Sequence, residues 1–240
     1  MTTLPSLANK QDKPAIMPSS PKPVILFDLD GTLVDTAPDL IATLNHLLAE
    51  ENCPRAPEVV MRTMISLGAR AMIVKGFELA QKPKTGEQLD QLTERFIAHY
   101  SDHIAVNSRP FPGVVELLDQ LSARGTPLGV CTNKRADLSN QLLKSLDMDH
   151  YFDAVIGVDT LAVKKPHPGH ILGTIEALGG SSARAIMIGD SETDIKAAKA
   201  ANIPVIALDF GYSLEPVANF HPDAIVSHYR DLLPYLDSFL

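Results

Sequence analysis

Val24-Ile25-Leu26-Phe27 runs without a break into Asp28-Leu29-Asp30-Gly31-Thr32. A short continuous apolar run of this kind is how a strand buried on both faces reads. Asp28 and Asp30, two residues apart at the strand's end, point the same way for as long as the strand persists. Like charges that close raise each other's pKa unless a cation holds them. A hard cation with oxygen ligands, most simply Mg²⁺, resolves that conflict. An Asx-rich turn after a strand would use the same letters.

Outward from this stretch, four more apolar runs resemble the first: Pro127 to Cys131, Ala154 to Val158, Ala185 to Ile188 and Pro204 to Leu208. Amphipathic helical patterns separate them. Gly113 to Ala123 places Val114, Leu117, Leu118 and Leu121 on one face and stops at Gly125; Ala136 to Leu146 and Gly169 to Leu178 share the period. Strands alternating with helices in this way make parallel βαβ units with right-handed crossovers, so the expected body is an α/β sandwich. Residues 32 to 126 break the alternation. Ahead of Gly113 they hold no convincing strand and four helical patterns, Asp39 to Glu50, Glu58 to Leu67, Ala69 to Gln81 and Glu87 to about Ile104, the first entered through Thr36 as N-cap. A crossover needs only a dozen or so residues. The expected division is therefore a core of residues 23–36 and 109–240 and a helical cap of 37–108. Residues 1–22, rich in Pro, Ser, Lys and Thr, read as a flexible tail.

A length of 240 residues suits one core with a small accessory domain. The formal net charge of −8 argues against nucleic acid or an anionic membrane surface as partner, and an acidic protein that handles anions must concentrate positive charge locally. Cys53 and Cys131 are too few for a disulfide framework and read as reduced thiols. No apolar segment follows basic residues at the N-terminus and none approaches a bilayer span, so the expected location is the cytoplasm.

Three further signals fall at strand ends. Thr132-Asn133 closes the second strand, where a hydroxyl and backbone N–H groups cradle an anion or cap a helix. Lys164-Lys165-Pro166-His167-Pro168 follows the third strand, as a fixed ammonium or as a solvated loop. Gly189-Asp190-Ser191-Glu192-Thr193-Asp194 ends the fourth and opens a helix from Thr193 to Ala201, with Asp190 at the strand tip and Asp194 one turn on; a capping sequence looks alike. Ligands of open parallel sheets bind beyond the carboxyl ends of the strands, where all these groups lie.

From about residue 23 to its end the chain resembles the haloacid dehalogenase superfamily, on Asp28 to Thr32, Thr132 with Asn133, Lys165, and Asp190 with Asp194. The run from Asp28 to Leu40, with the helical insertion behind it and Lys164 to Pro168, is similar to the phosphoglycolate phosphatase branch. The resemblance implies a Rossmann-like five-stranded parallel sheet of order 5-4-1-2-3. It implies a Mg²⁺-dependent phosphatase acting on a small phosphorylated metabolite, 2-phosphoglycolate, working as monomer or homodimer. Asp28 is then the nucleophile and Asp30 the acid and base. The Asp28 carboxylate, the Asp30 backbone carbonyl and Asp190 hold the metal, and Thr132, the Asn133 amide and Lys165 bind phosphate. Asp194 orients a metal water or Lys165. The cap closes about hinges near Asp35–Ala37 and Arg109–Gly113. Arg70, at the helix junction Ser66-Leu67-Gly68-Ala69-Arg70, meets a substrate carboxylate or is simply a solvated arginine.

Rivals share parts of this set. A 2-haloacid dehalogenase needs neither Asp30 as acid nor a metal. A phosphonoacetaldehyde hydrolase needs a cap lysine, for which Lys75, Lys82 and Lys84 are at hand, but Asp30-Gly31-Thr32 departs from its first motif. A phosphatase or mutase of sugar phosphates, or a pyrophosphatase, fits the same motifs. A receiver-like phospho-accepting module would lack the helical insertion, and an intact motif set argues against a non-catalytic binding module.

Overall fold

A computed structural model describes residues 23–239 of the protein, so the stretch read as a flexible tail lies outside the described residues. In chain order the elements are β1 (Val24–Phe27), β2 (Val34–Asp35), α1 (Ala37–Glu50), α2 (Glu58–Met64), α3 (Ala69–Leu79), α4 (Gly86–Asp102), β3 (Arg109–Pro110), α5 (Val114–Ala123), β4 (Leu128–Cys131), α6 (Ala136–Ser145), β5 (Ala154–Ile156), α7 (Pro168–Ala177), β6 (Ala185–Gly189), α8 (Glu192–Ala200), β7 (Val205–Leu208), β8 (Ala224–Val226) and α9 (Leu232–Phe239). The main sheet is parallel throughout, in the order β5-β4-β1-β6-β7-β8. The five expected strands stand in the expected order. The sheet has six strands rather than five, because β8, three residues long and half-covered, adds an outer strand too short to leave a pattern.

β1 lies at the centre, with Leu26 level with Gly129 on one side and Met187 on the other. All four of its side chains are fully buried. The pleat sends Ile25 and Phe27 into the apolar cluster on one face and Val24 and Leu26 into the cluster on the other. Helices cover both faces, which is why the strand reads as an unbroken apolar run. Each such side chain contributes about 1.5–3 kcal/mol by leaving water.

The insertion departs and returns through one place. β2 and β3 pair antiparallel, Val34 level with Pro110 and Asp35 with Arg109, so both crossings run side by side. At two residues each, these strands fall below any periodicity and were not expected. The helices pack on one another through faces set by the helical period. On α4 that face is Leu89, Leu92, Phe96 and Tyr100. The expected helix from Glu58 to Leu67 is divided: α2 stops at Met64, and Ile65–Leu67 tightens into a 3₁₀ turn before Gly68. Cys53 and Cys131 are unbonded.

Thr36 does not cap α1 with its side chain, and its Oγ1 is buried without a partner. Pro38, at the second helical position, has no N–H to offer it, and Ala37 N–H donates to Tyr212 Oη at 2.9 Å. Asp39 turns from the helix end altogether. It is almost fully buried and accepts from the backbone N–H groups of Asn107 and Ser108 and from Ser108 Oγ at 2.7 Å, tying the returning chain to α1. Asp39→Ala leaves the buried backbone N–H and hydroxyl of Ser108 unmet, and a loss of about 3 kcal/mol is expected, read from the urea midpoint. Asp39→Asn, which keeps one acceptor oxygen, should fall between; a change under about 0.5 kcal/mol in the alanine variant would refute the tie.

Candidate active site

The sheet's carboxyl edge opens into a cleft of about 300 Å³ whose floor is the core and whose roof is the insertion. Asp28, Asp30, Thr132, Asn133 and Asp190 line it from below; Ser66, Arg70 and Tyr100 line it from above. β1 ends at Phe27, and Asp28 to Thr32 form a turn, so Asp28 and Asp30 are set by that turn and not by a continuing pleat. Gly31 makes the turn possible. Its φ of +86° suits glycine, and a Cβ there would lie 2.5 Å from Asp190 Oδ2. Gly211 crowds the same aspartate from the far side, where a Cβ would stand 2.2 Å from Asp190 Cβ.

Lys165 is the hub. Its side chain is 1% exposed, and Nζ donates to Cys131 O at 2.5 Å and Asp194 Oδ1 at 2.6 Å, with Asp28 Oδ1 at 3.0 Å. Asp28 Oδ1 also accepts Leu29 N–H at 2.7 Å. Asp28 Oδ2 has no protein donor among the described residues, so one oxygen is held and the other is left for chemistry. Asp190 accepts from Thr32 Oγ1 at 2.7 Å and from Tyr212 N–H at 2.6 Å. Asp194 has two functions in one side chain: Oδ2 closes a capping box with Ser191 at the start of α8, while Oδ1 takes Lys165. Lys164, its neighbour, is exposed.

The electrostatics ask for a cation. Carboxylate oxygens of Asp28, Asp190 and Asp194 all lie within 4.8 Å of one another. Burial, opposed by Lys165 and reinforced by Asp194 and Asp30, pushes Asp28 from 3.8 to about 6. Burial, then Asp194 and Asp28, push Asp190 well above its ordinary value. Three ionised carboxylates against one ammonium leave two negative charges uncompensated. A divalent cation with oxygen ligands fits that deficit, and the donor set is the hard-oxygen kind that Mg²⁺ takes.

Thr132 and Asn133 do not cap α6, whose N-cap is Arg135 with the Ala136 N–H on Asp159. Thr132 is buried and accepts Lys134 N–H at 3.2 Å. Asn133 Nδ2 donates to the Lys165 carbonyl at 3.0 Å, which braces the lysine's loop. Arg70 lines the cleft, but its Nη1 pairs with Asp90 Oδ1 at 2.5 Å, both side chains more than half exposed. Reading from sequence missed four participants. Thr32 and the Tyr212 N–H hold Asp190. Lys134 and Tyr100 meet over Asp30: Lys134 Nζ lies 3.0 and 3.2 Å from the two Asp30 oxygens and 3.0 Å from Tyr100 Oη. Burial alone would lower the Lys134 pKa, but Asp30 and Tyr100 more than reverse this, while burial lifts Tyr100 to about 12. The ammonium is charged and the phenol keeps its proton. Lys134 directly after Thr132-Asn133 was the available signal; Tyr100 had none beyond its place on a buried helix face.

Fold and site together define a hydrolase of the α/β type with a helical roof over an aspartate–lysine centre. The model of the haloacid dehalogenase-like hydrolase family matches residues 25–208, and the chain belongs to that family. It is an enzyme whose relatives are phosphatases. A protein of Caulobacter vibrioides named phosphoglycolate phosphatase is 45% identical, across 87% of this chain and 88% of its own. One of Mesorhizobium japonicum with the same name is 44% identical, across 88% and 93%. A crystal structure described as a predicted phosphoglycolate phosphatase from Haemophilus somnus 129pt superposes with a TM-score of 0.83 at 32% identity, across 89% of this chain and 97% of that one. No helix among the described residues is long and apolar enough to cross a membrane.

Proposed function

We propose that the protein is a cytoplasmic, Mg²⁺-dependent phosphatase that hydrolyses 2-phosphoglycolate to glycolate and phosphate through an aspartyl phosphate on Asp28. The observation that carries this reading is the Asp28 carboxylate itself, one oxygen fixed by Leu29 N–H and Lys165 and the other without a protein donor, at the floor of the cleft. The names of relatives at 44% and 45% identity supply the substrate.

The free Asp28 oxygen attacks phosphorus, the ester P–O bond breaks, and Asp30 gives a proton to the departing glycolate oxygen. A water then attacks the acyl phosphate and its proton passes to Asp30; the bond from phosphorus to Asp28 breaks and phosphate leaves. Lys165, Thr132 Oγ1 and the Asn133 backbone N–H hold the non-bridging oxygens, since the Asn133 side chain is occupied with Lys165 O. Asp194 fixes Lys165 in that duty. The carboxylates of Asp28 and Asp190 and the Asp30 carbonyl would hold the cation. When bound, it offsets the charge that gathers on the phosphoryl oxygens. The paired crossings at β2 and β3 serve as the hinge about which the helical unit closes to exclude water.

A panel of phosphorylated metabolites ranked by kcat/KM, with Mg²⁺ and with chelator, tests this. 2-Phosphoglycolate is expected at the top and turnover is expected to vanish without the metal. A sugar phosphate or pyrophosphate that exceeds 2-phosphoglycolate by about tenfold or more would overturn the substrate while leaving the reaction class.

A further inference from the structure

We propose that Lys134 of the core and Tyr100 of the helical unit together form the receptor for a carboxylate attached directly to the ester carbon of the substrate. This rests on the reading of the cleft as a phosphoester site and adds the residues that choose among small phosphoesters.

The need for such a receptor is electrostatic. Asp28, Asp30 and Asp190 line the floor, and a second anion on the substrate would be repelled unless a cation waits on the leaving-group side. The neighbouring cations do not serve, and Lys164, which also lines the cleft, is exposed. Lys165, donating to Cys131 O and Asp194 and 3.0 Å from Asp28 Oδ1, is assigned to the phosphate oxygens and not to the leaving group. Arg135 pairs with Asp137 and Arg70 with Asp90, all more than a third exposed, where screening weakens them. Lys134 alone among the lining cations outside the Lys165 hub is enclosed, with 6% of its side chain exposed.

Distances support the assignment. Asp30, which delivers the proton to the ester oxygen, has Lys134 Nζ 3.0 Å from its Oδ1. In a phosphoester of an α-hydroxy acid the carboxylate oxygens lie about 3.5 Å or less from the ester oxygen. An anion there falls within hydrogen-bond reach of the ammonium, whereas one several carbons farther overshoots it. Two Asp30 oxygens flank Nζ, so the substrate anion can replace one and leave the other in place. Tyr100 supplies a second donor. Its Oη accepts from Lys134 and has no acceptor of its own among the described residues, so its proton is free to be donated into the cleft. An ammonium and a phenol side by side, desolvated, make a paired receptor for the two carboxylate oxygens. One comes from each side of the cleft, so an anionic substrate also bridges floor and roof.

The test compares 2-phosphoglycolate with 2-hydroxyethyl phosphate, of equal length but with an uncharged end, for the wild type, Lys134→Met, Tyr100→Phe and Arg70→Ala. The wild type is expected to prefer the carboxylate. Lys134→Met should shrink that preference about thirtyfold, mainly through KM, and Tyr100→Phe about fivefold. Arg70→Ala should leave the ratio within about twofold. Should Lys134→Met slow both substrates equally, the lysine serves Asp30 alone and the proposal falls; if that variant does not fold, an unchanged ratio in Tyr100→Phe has the same force. A collapse of the ratio in Arg70→Ala alone would move the receptor to Arg70. A wild type without preference overturns the proposed substrate and the receptor together, while a preference that survives in both variants overturns only the receptor.

Discussion

Asp28→Asn is expected to reduce turnover below about one percent of wild type while the protein stays folded and becomes no less stable. The amide keeps an oxygen where Leu29 N–H now donates and where Lys165 Nζ lies 3.0 Å away, so local contacts persist. What disappears is the anionic oxygen proposed to attack phosphorus, and an amide is no substitute. The stability side follows from the direction of the pKa shift. Asp28 stands at about 6 in the folded chain against 3.8, chiefly through burial, so folding favours its neutral form. Stability is therefore lost as the pH climbs from 3.8 through about 6 and levels off above that, the loss being of the order of 3 kcal/mol at neutral pH without a cation. A neutral isostere removes that cost, as expected where activity and stability are at odds. The check is a melting curve without divalent cation beside a steady-state assay, with Asp28→Ala as a second variant because an asparagine can deamidate back to aspartate. Activity of several percent in both variants would remove Asp28 from the nucleophile's place.

The parts of this site that were legible in the sequence share one property: each follows a strand. Asp28, Thr132 and Asp190 stand just past an apolar run and Lys165 on the loop that follows one, and open parallel sheets gather such positions at one edge. Asp194 was legible through its spacing from Asp190, and its contacts with Ser191 and with Lys165 belong to two oxygens of the same carboxylate. Tyr100 was not legible, because its position repeats the period of Leu89, Leu92 and Phe96; an inward ring reads as core whether or not its hydroxyl reaches a cleft. Tyr212 acts through a backbone N–H, which leaves no trace in residue type. Asp39 entered the sequence reading only as the first residue of a helical pattern, since nothing local announces that its acceptors face Asn107 and Ser108. β2, β3 and β8 are two or three residues long and lie beneath the reach of any pattern. Local order was visible wherever it had length; pairings across the chain were visible only where a strand end placed them.

Lys165→Met is expected to cost about a thousandfold or more in kcat/KM and, at pH 8, about 3–5 kcal/mol of stability. Methionine matches the lysine's bulk, so packing is largely preserved and the change isolates the ammonium. Its removal withdraws the donor proposed for the phosphate oxygens and leaves Asp28 and Asp194 facing each other in a dry site, with Cys131 O also unmet. The pH dependence separates charge from packing. Lys165 is what lowers the Asp28 pKa against burial, so without it that pKa rises beyond about 6. A carboxyl raised in the folded state keeps its stability below the unfolded value of 3.8 and loses it as the pH climbs through the folded value. The deficit of the variant should therefore be small near pH 5 and grow toward pH 8, and Mg²⁺ should recover part of it at the higher pH by restoring positive charge among the same carboxylates. Thermal melts at both pH values, with and without the cation, read all of this without an assay of turnover. A deficit that is equal at pH 5 and pH 8 would mean that the lysine fills space and little else, and the charge balance that joins Asp28, Asp190 and Asp194 into one cation site would lose its support.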